Sequence, residues 1–304
     1  MTIKNPSSPL IPVLICLMGV FLLSVMDAAV KGLVLVIGAY NALLWRSLFA
    51  TFAAGFAWTA AASPRPNADA LRLHALRGIV VSFVALSFFW GLGRLPLAEA
   101  IALSFIAPLV ALFLAAILLG ERIGRSVIAA SLIGLIGVIV ILLGKFGKTG
   151  YAPDALLGVA AIIASAVLYA YNLVLIRRQA LIAKPLEVVF SMNFMVLIVL
   201  GLASPWLGIW PDADQWAPIL GVTALALGGH AMMSWAYARA EAQYLIPTEY
   251  SAFVWAVILG WFLFDETVGW STILGAVLIT LGCLLASRSK PKSKLAEPIE
   301  VAAV

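Results

Sequence analysis

Residues 10–36 read LIPVLICLMGVFLLSVMDAAVKGLVLV, an apolar run interrupted by two charges, Asp27 and Lys31. Wound as an α-helix at about 1.5 Å per residue, such a run outspans the roughly 30 Å of hydrocarbon in a bilayer. Working outward, comparable runs follow at 40–62, 74–93, 97–119, 126–144, 155–176, 186–209, 217–238, 243–264 and 269–287. The breaks between them carry charges, Pro or Gly, as at Ser63-Pro64-Arg65-Pro66-Asn67, Gly120 to Arg125, Lys145 to Asp154 and Asp265-Glu266. Only helices satisfy every backbone polar group within such segments. The pattern predicts an all-α integral membrane protein with ten transmembrane helices, and the polar stretch 288–304 is a basic tail outside the bilayer.

Composition agrees with that reading. The 304 residues are 64% hydrophobic and 11% charged, against about 25% charged in a soluble domain, and the mean hydropathy is +1.10. A water-soluble globule is excluded. The net charge of +5 does not point to nucleic acid, because the basic residues are scattered through loops and form no stripe with interleaved aromatics. They report topology instead. With a cytoplasmic N-terminus, 14 of the 19 Lys and Arg fall on the cytoplasmic side, among them Arg65, Arg77, Arg122, Arg177, Arg239 and Lys290. Lys31, Arg94, Lys145 and Lys148 fall outside, and Arg46 lies near the outer end of the second run. Both termini are therefore expected in the cytoplasm. Cys16 and Cys283 sit in apolar runs with no ligand-like neighbours and read as packing residues.

The chain resembles itself at an offset of 145 residues: Trp90 and Arg94 match Trp235 and Arg239, Glu121 and Gly124 match Glu266 and Gly269, and Gly137 matches Gly282. Each copy holds five runs, 10–144 in the first and 155–287 in the second. An odd number of spans turns the second copy upside down, so the chain is expected to form two inverted five-helix repeats. That architecture belongs to transporters, with substrate held where the halves meet.

At these residues the sequence resembles the drug/metabolite transporter superfamily, in its ten-span branch of two EamA-type repeats. Leu-Gly-Glu at 119–121 and Phe-Asp-Glu at 264–266 close the fourth and ninth spans, Gly-rich fifth and tenth spans follow, and Lys31 and Arg46 stand in the first repeat. The resemblance, especially to bacterial aromatic amino acid exporters, implies amino acid export across the inner (plasma) membrane.

Ionisable residues at membrane depth are costly and are functional candidates by default. Asp27 and Lys31 share a helical face. They read either as a proton-coupling carboxylate or substrate-ammonium site, or as a structural ion pair between the two. In the second half, Tyr244, Thr248, Ser251 and Trp255 recur at intervals of four, three and four, which puts them on one face of a helix. His230, Ser234, Tyr237 and Glu241 do the same in the eighth span, and Ser165, Tyr169 and Asn172 in the sixth. These faces line a candidate substrate cavity, or serve as interhelical hydrogen-bonding glue. His230 is either a proton relay or a hydrogen-bonding wall. Trp90 and Trp235 offer rings to an apolar or aromatic substrate side chain, whereas Trp206, Trp210, Trp216 and Trp270 look like an interfacial belt. Pro108 and Pro247 interrupt the fourth and ninth spans and are expected hinges.

Catalysis lacks its raw material: two histidines, no Cys/His metal cluster, no phosphate loop and no Gly-x-Ser-x-Gly elbow. No cofactor or metal is expected, and no ATP-driven pump. The sequence predicts a monomeric secondary carrier in the lipid bilayer that exports amino acids by alternating access. Export of drugs or nucleobase-like metabolites is the alternative, with a channel or membrane enzyme further off.

Overall fold

The computed structural model describes residues 10–61, 66–107, 109–111, 113–114, 125–144, 154–180, 182–237, 239, 245 and 248–287. Pro108, Glu121, Tyr244, Pro247 and the tail 288–304 lie outside the described residues. All regular elements among the described residues are helices.

The first, Leu10–Ala60, is two helices joined at Gly38, whose φ of 77° and ψ of 159° lie where only glycine sits without strain. They are α1 (residues 10–37) and α2 (residues 39–60). There follow α3 (Ala68–Leu92), α4 (Leu97–Ser104), α5 (Arg125–Leu143), α6 (Ala155–Ala180), α7 (Pro185–Leu207), α8 (Trp216–Tyr237), α9 (Ser251–Phe264) and α10 (Trp270–Ser287). Five helical stretches among the described residues are long and apolar enough to cross a membrane: Leu10–Ala60, which holds both α1 and α2, Ala68–Leu92, Ala155–Ile176, Leu186–Leu207 and Trp216–Tyr237. The others are shorter apolar helices. The break at 63–67 ends in an N-cap, since Asn67 Oδ1 accepts from the Ala70 amide at 2.8 Å. The helix then begins at Ala68, six residues before the apolar run at 74 suggests, because Asp69 and Arg72 ride its exposed first turns.

The helices of the two halves pack against one another in pairs. α1 packs on α8 and α6 on α3, while α4 meets α9 and α5 meets α10. In α5 and α10 the backbones nearly touch: a Cβ at Gly137 would lie 2.6 Å from the Gly275 carbonyl oxygen, and one at Gly275 the same distance from that of Gly137. Lipid is as apolar as a side chain, so such close van der Waals contact replaces hydrophobic burial as the force between helices. The same offset of 145 appears in local geometry. The Arg94 guanidinium stands 3.4 Å over the Trp90 ring and Nη1 donates to the Trp90 carbonyl at 3.1 Å. Arg239 covers Trp235 at 4.1 Å and donates to its carbonyl at 3.2 Å.

Large apolar side chains point outward along most helices. Phe56 is 77% exposed and Trp270 is 85% exposed. Such a surface is tolerable in lipid and not in water. Trp206 and Trp210 are exposed too, and Trp210 and Trp216 stack edge-on around Trp45 at 5.0 and 5.1 Å. The core runs along the seam between the copies, through Leu43, Leu92, Leu97, Leu103 and Ile162.

Candidate functional site

At the end of the bundle marked by Gly38, the two repeats are fastened together by charge. α9 ends in a left-handed residue, Asp265 (φ 52°), after which the Glu266 amide still donates to the Gly260 carbonyl at 3.1 Å. That turn folds the Glu266 carboxylate back toward the bundle. Its Oε2 accepts from the Leu97 amide at the start of α4 at 2.7 Å, and its Oε1 pairs with Lys31 Nζ. Lys31 also donates to the Leu95 carbonyl at 2.5 Å and stands 5.1 Å from the Phe264 ring centroid. Lys31 is 4% exposed. Glu266 thus binds α1 and α4 of the first repeat from the second.

This corrects one sequence expectation. Asp27 and Lys31 share a face of α1, yet the ion pair of Lys31 is with Glu266. Asp27 makes no hydrogen bond or ion pair with a described residue. The helical spacing offered Lys31 a neighbour, but at the end of α1 it reaches across to a carboxylate 235 residues away that is held by a second donor.

Arg46 of α2 and His230 of α8 are two further ionisable groups within the bundle. Arg46 lies over the Phe89 ring, 5.9 Å from its centroid, and its Nε is buried without a hydrogen-bond partner. His230 Nδ1 lies 2.7 Å from the carbonyl of Ala226 in its own helix, which leaves Nε2 as its outward nitrogen. Arg46 had stood out in the sequence only as the basic residue that belonged to no loop.

The other expected site residues separate into groups. Trp255 packs edge-on against Phe21 of α1, 4.7 Å between centroids, another contact between the repeats. Ser251 Oγ is buried and unpartnered. Thr248 shares its hydroxyl between the Leu245 carbonyl (2.6 Å) and the Cys16 sulfur (3.0 Å), so it ties its segment to α1. Tyr237 donates to Glu249 Oε1. Ser234 is exposed and Trp235 half-buried, on α8. Trp90 and Trp235 each carry the arginine described above.

Asn172 belongs to a buried network that the sequence did not disclose. Arg77 Nε donates to Asn172 Oδ1 at 3.0 Å and its Nη1 to Gln179 Oε1. Gln179 Nε2 bonds His74 Nδ1, and His74 Nε2 lies 3.0 Å from Glu187 Oε1. The donors run in one direction from Arg77 to Glu187 if His74 carries its proton on Nε2, a tautomer assigned from the network. His74 is fully buried, and the chain pins α3 to α6 and α7 at the end opposite Gly38. Arg77 was expected among loop charges. It is buried because its network supplies partners within the bundle. The available signal was His74 and Arg77 three apart on one face of α3, with Gln179 and Glu187 bracketing the α6–α7 turn.

Comparisons with known proteins agree with this architecture. The chain is 26% identical over 284 residues to the pseudopaline exporter CntI of Pseudomonas aeruginosa, covering 91% of this chain and 96% of that one. It is 33% identical over 180 residues to the aromatic amino acid exporter YddG of Ancylobacter novellus, covering 57% and 60%. It is 29% identical over 229 residues to the S-adenosylmethionine uptake transporter of Rickettsia bellii, covering 73% and 74%. A solved crystal structure shares the fold with a TM-score of 0.58 and 23% identity over 92% of this chain and 97% of the other. Residues 10–143 and 156–288 each match the EamA-like transporter family, so the bundle joined by Lys31 and Glu266 is two copies of that unit, and the chain belongs to the EamA-like transporter family, within the drug/metabolite transporter superfamily.

Proposed function

We propose that this transporter is a ten-span secondary carrier of two inverted repeats that exports amino acids, aromatic and other small apolar ones, from the cytoplasm by alternating access. The observation that carries the mechanism is the ion pair between Lys31 of one repeat and Glu266 of the other, tightened by the Leu97 amide. A carrier needs contacts between its halves that close one mouth and can be released to open it. With both termini cytoplasmic, the Gly38 end faces outward, and the closed pair corresponds to a state open to the cytoplasm. Substrate enters between spans 1–4 and 6–9, near Asp27, Arg46 and His230, with Tyr169, Ser251 and Trp255 as further wall. The carrier works as a monomer in a bacterial inner membrane, with Pro108 and Pro247 as bends in its fourth and ninth spans.

The test is uptake of labelled tryptophan, phenylalanine and threonine into liposomes holding the purified protein, with and without a pH gradient. Saturable uptake supports an amino acid carrier, and a response to the gradient identifies antiport. Absence of uptake above empty liposomes for all three removes the amino acid reading. A second reading, export of another small metabolite, is favoured by the relatives named for pseudopaline and S-adenosylmethionine. Uptake of none of the amino acids, with binding of such metabolites, moves it to first place.

A further inference from the structure

Arg46 stands out because, among the described residues, it has no hydrogen-bond or ion-pair partner. An arginine at membrane depth is expected to find a carboxylate or a carbonyl. Arg46 makes neither hydrogen bond nor ion pair with a described residue, and its Nε is sealed from solvent. The residue is only half-buried, and its guanidinium lies over the face of Phe89. No carboxylate of the described residues forms an ion pair with it within 4.0 Å. The planar guanidinium fork matches a carboxylate geometrically, which an ammonium does not.

Resting on the reading of the chain as a carrier of small organic solutes, we propose that Arg46 is the docking residue for a substrate carboxylate. The transported class is then carboxylate-bearing amphiphiles. Phe89 holds the guanidinium from one side and leaves its fork to the ligand. The empty state keeps an unpaired cation that only an anion relieves, and that is how the site rejects an amine lacking the carboxylate.

The experiment is thermal unfolding of the full-length protein in detergent, titrated separately with phenylalanine, 3-phenylpropionate, phenethylamine and sodium chloride. Wild type is expected to be stabilised saturably by phenylalanine and by 3-phenylpropionate, and not by chloride over the same range. In Arg46→Gln the concentration giving half the effect rises at least tenfold for both carboxylates, while any phenethylamine response is unchanged; Arg46→Lys falls between. The unliganded Arg46→Gln protein keeps or raises its melting temperature, because no partner loses a bond, whereas a structural arginine would lower it. Equal carboxylate effects on wild type and Arg46→Gln, or no carboxylate effect on wild type, overturn the inference. Stabilisation by 3-phenylpropionate that depends on Arg46, without transport of any amino acid, preserves the inference and defeats the amino acid reading.

Discussion

Glu266 is the residue on which the closed end depends, and its environment explains the energetics of disturbing it. Lys31 and Glu266 are largely withdrawn from solvent. Removing one member of such a pair leaves a desolvated charge and costs about 3–5 kcal/mol, whereas replacing both leaves nothing unpaired. Lys31→Met and Glu266→Gln are each expected to destabilise the closed state by about that amount, and the double variant Lys31→Met/Glu266→Gln to recover most of it. Melting temperatures of the four proteins in one detergent check this, and strictly additive losses would contradict it. Asp27 has a different part. Asp27→Asn removes a titratable carboxylate without removing bulk, so gradient-driven accumulation of substrate should vanish while exchange of labelled substrate persists. Accumulation retained in that variant would show that the proton is carried elsewhere. The sequence exposed Asp27, Lys31 and Arg46 as charges in apolar runs, which is a one-dimensional signal. It could not expose their partners, because Lys31 meets Glu266 across 235 positions and Arg77 reaches Asn172 across 95.

Helices stand in most of the apolar runs, although the described helices cover only Leu97–Ser104 of the run 97–119 and Ser251–Phe264 of the run 243–264, and some of the differences have physical causes. Gly38 gives no apolarity signal, yet its left-handed backbone divides a 51-residue helical stretch into the first hairpin. α3 starts earlier than the apolar run because a capped, polar first turn extends it, and its inner face hides His74 and Arg77. α9 shows how an element aims a side chain. Its last turn needs glycine at 260, where a Cβ would come within 2.7 Å of Glu266 Oε2 and 3.5 Å of Leu97 Cβ. Gly260→Ala is therefore expected to displace the carboxylate from the Leu97 amide, at about 1–3 kcal/mol for the donor left behind. Alanine is otherwise the better helix former, so an unchanged or higher melting temperature would mean that the carboxylate has room to move aside. The polar stripes read from sequence proved less uniform than their spacing suggested. Thr248 is engaged with Cys16, Tyr237 with Glu249 and Asn172 with Arg77, while Ser251 keeps its hydroxyl unpartnered.

Across the whole molecule, the interfaces between helix pairs are of different kinds. α5 and α10 meet backbone to backbone through Gly137 and Gly275, a close contact without charge. α1, α4 and α9 meet through a carboxylate, an ammonium and one amide, contacts that break and reform as units. The buried chain from Arg77 to Glu187 ties α3, α6 and α7 at the other end. On the proposed alternating-access mechanism, the Gly38 end opens by parting α1 and α4 from α9 while α5 and α10 stay together. The distance between spin labels at positions 36 and 267, both exposed at that end, measures this directly in a protein whose native cysteines are replaced. Two distance populations are expected in wild type, with the longer one enriched by Glu266→Gln and redistributed by substrate. A single narrow distance, identical in wild type, in Glu266→Gln and with substrate, would contradict alternating access at this end of the molecule.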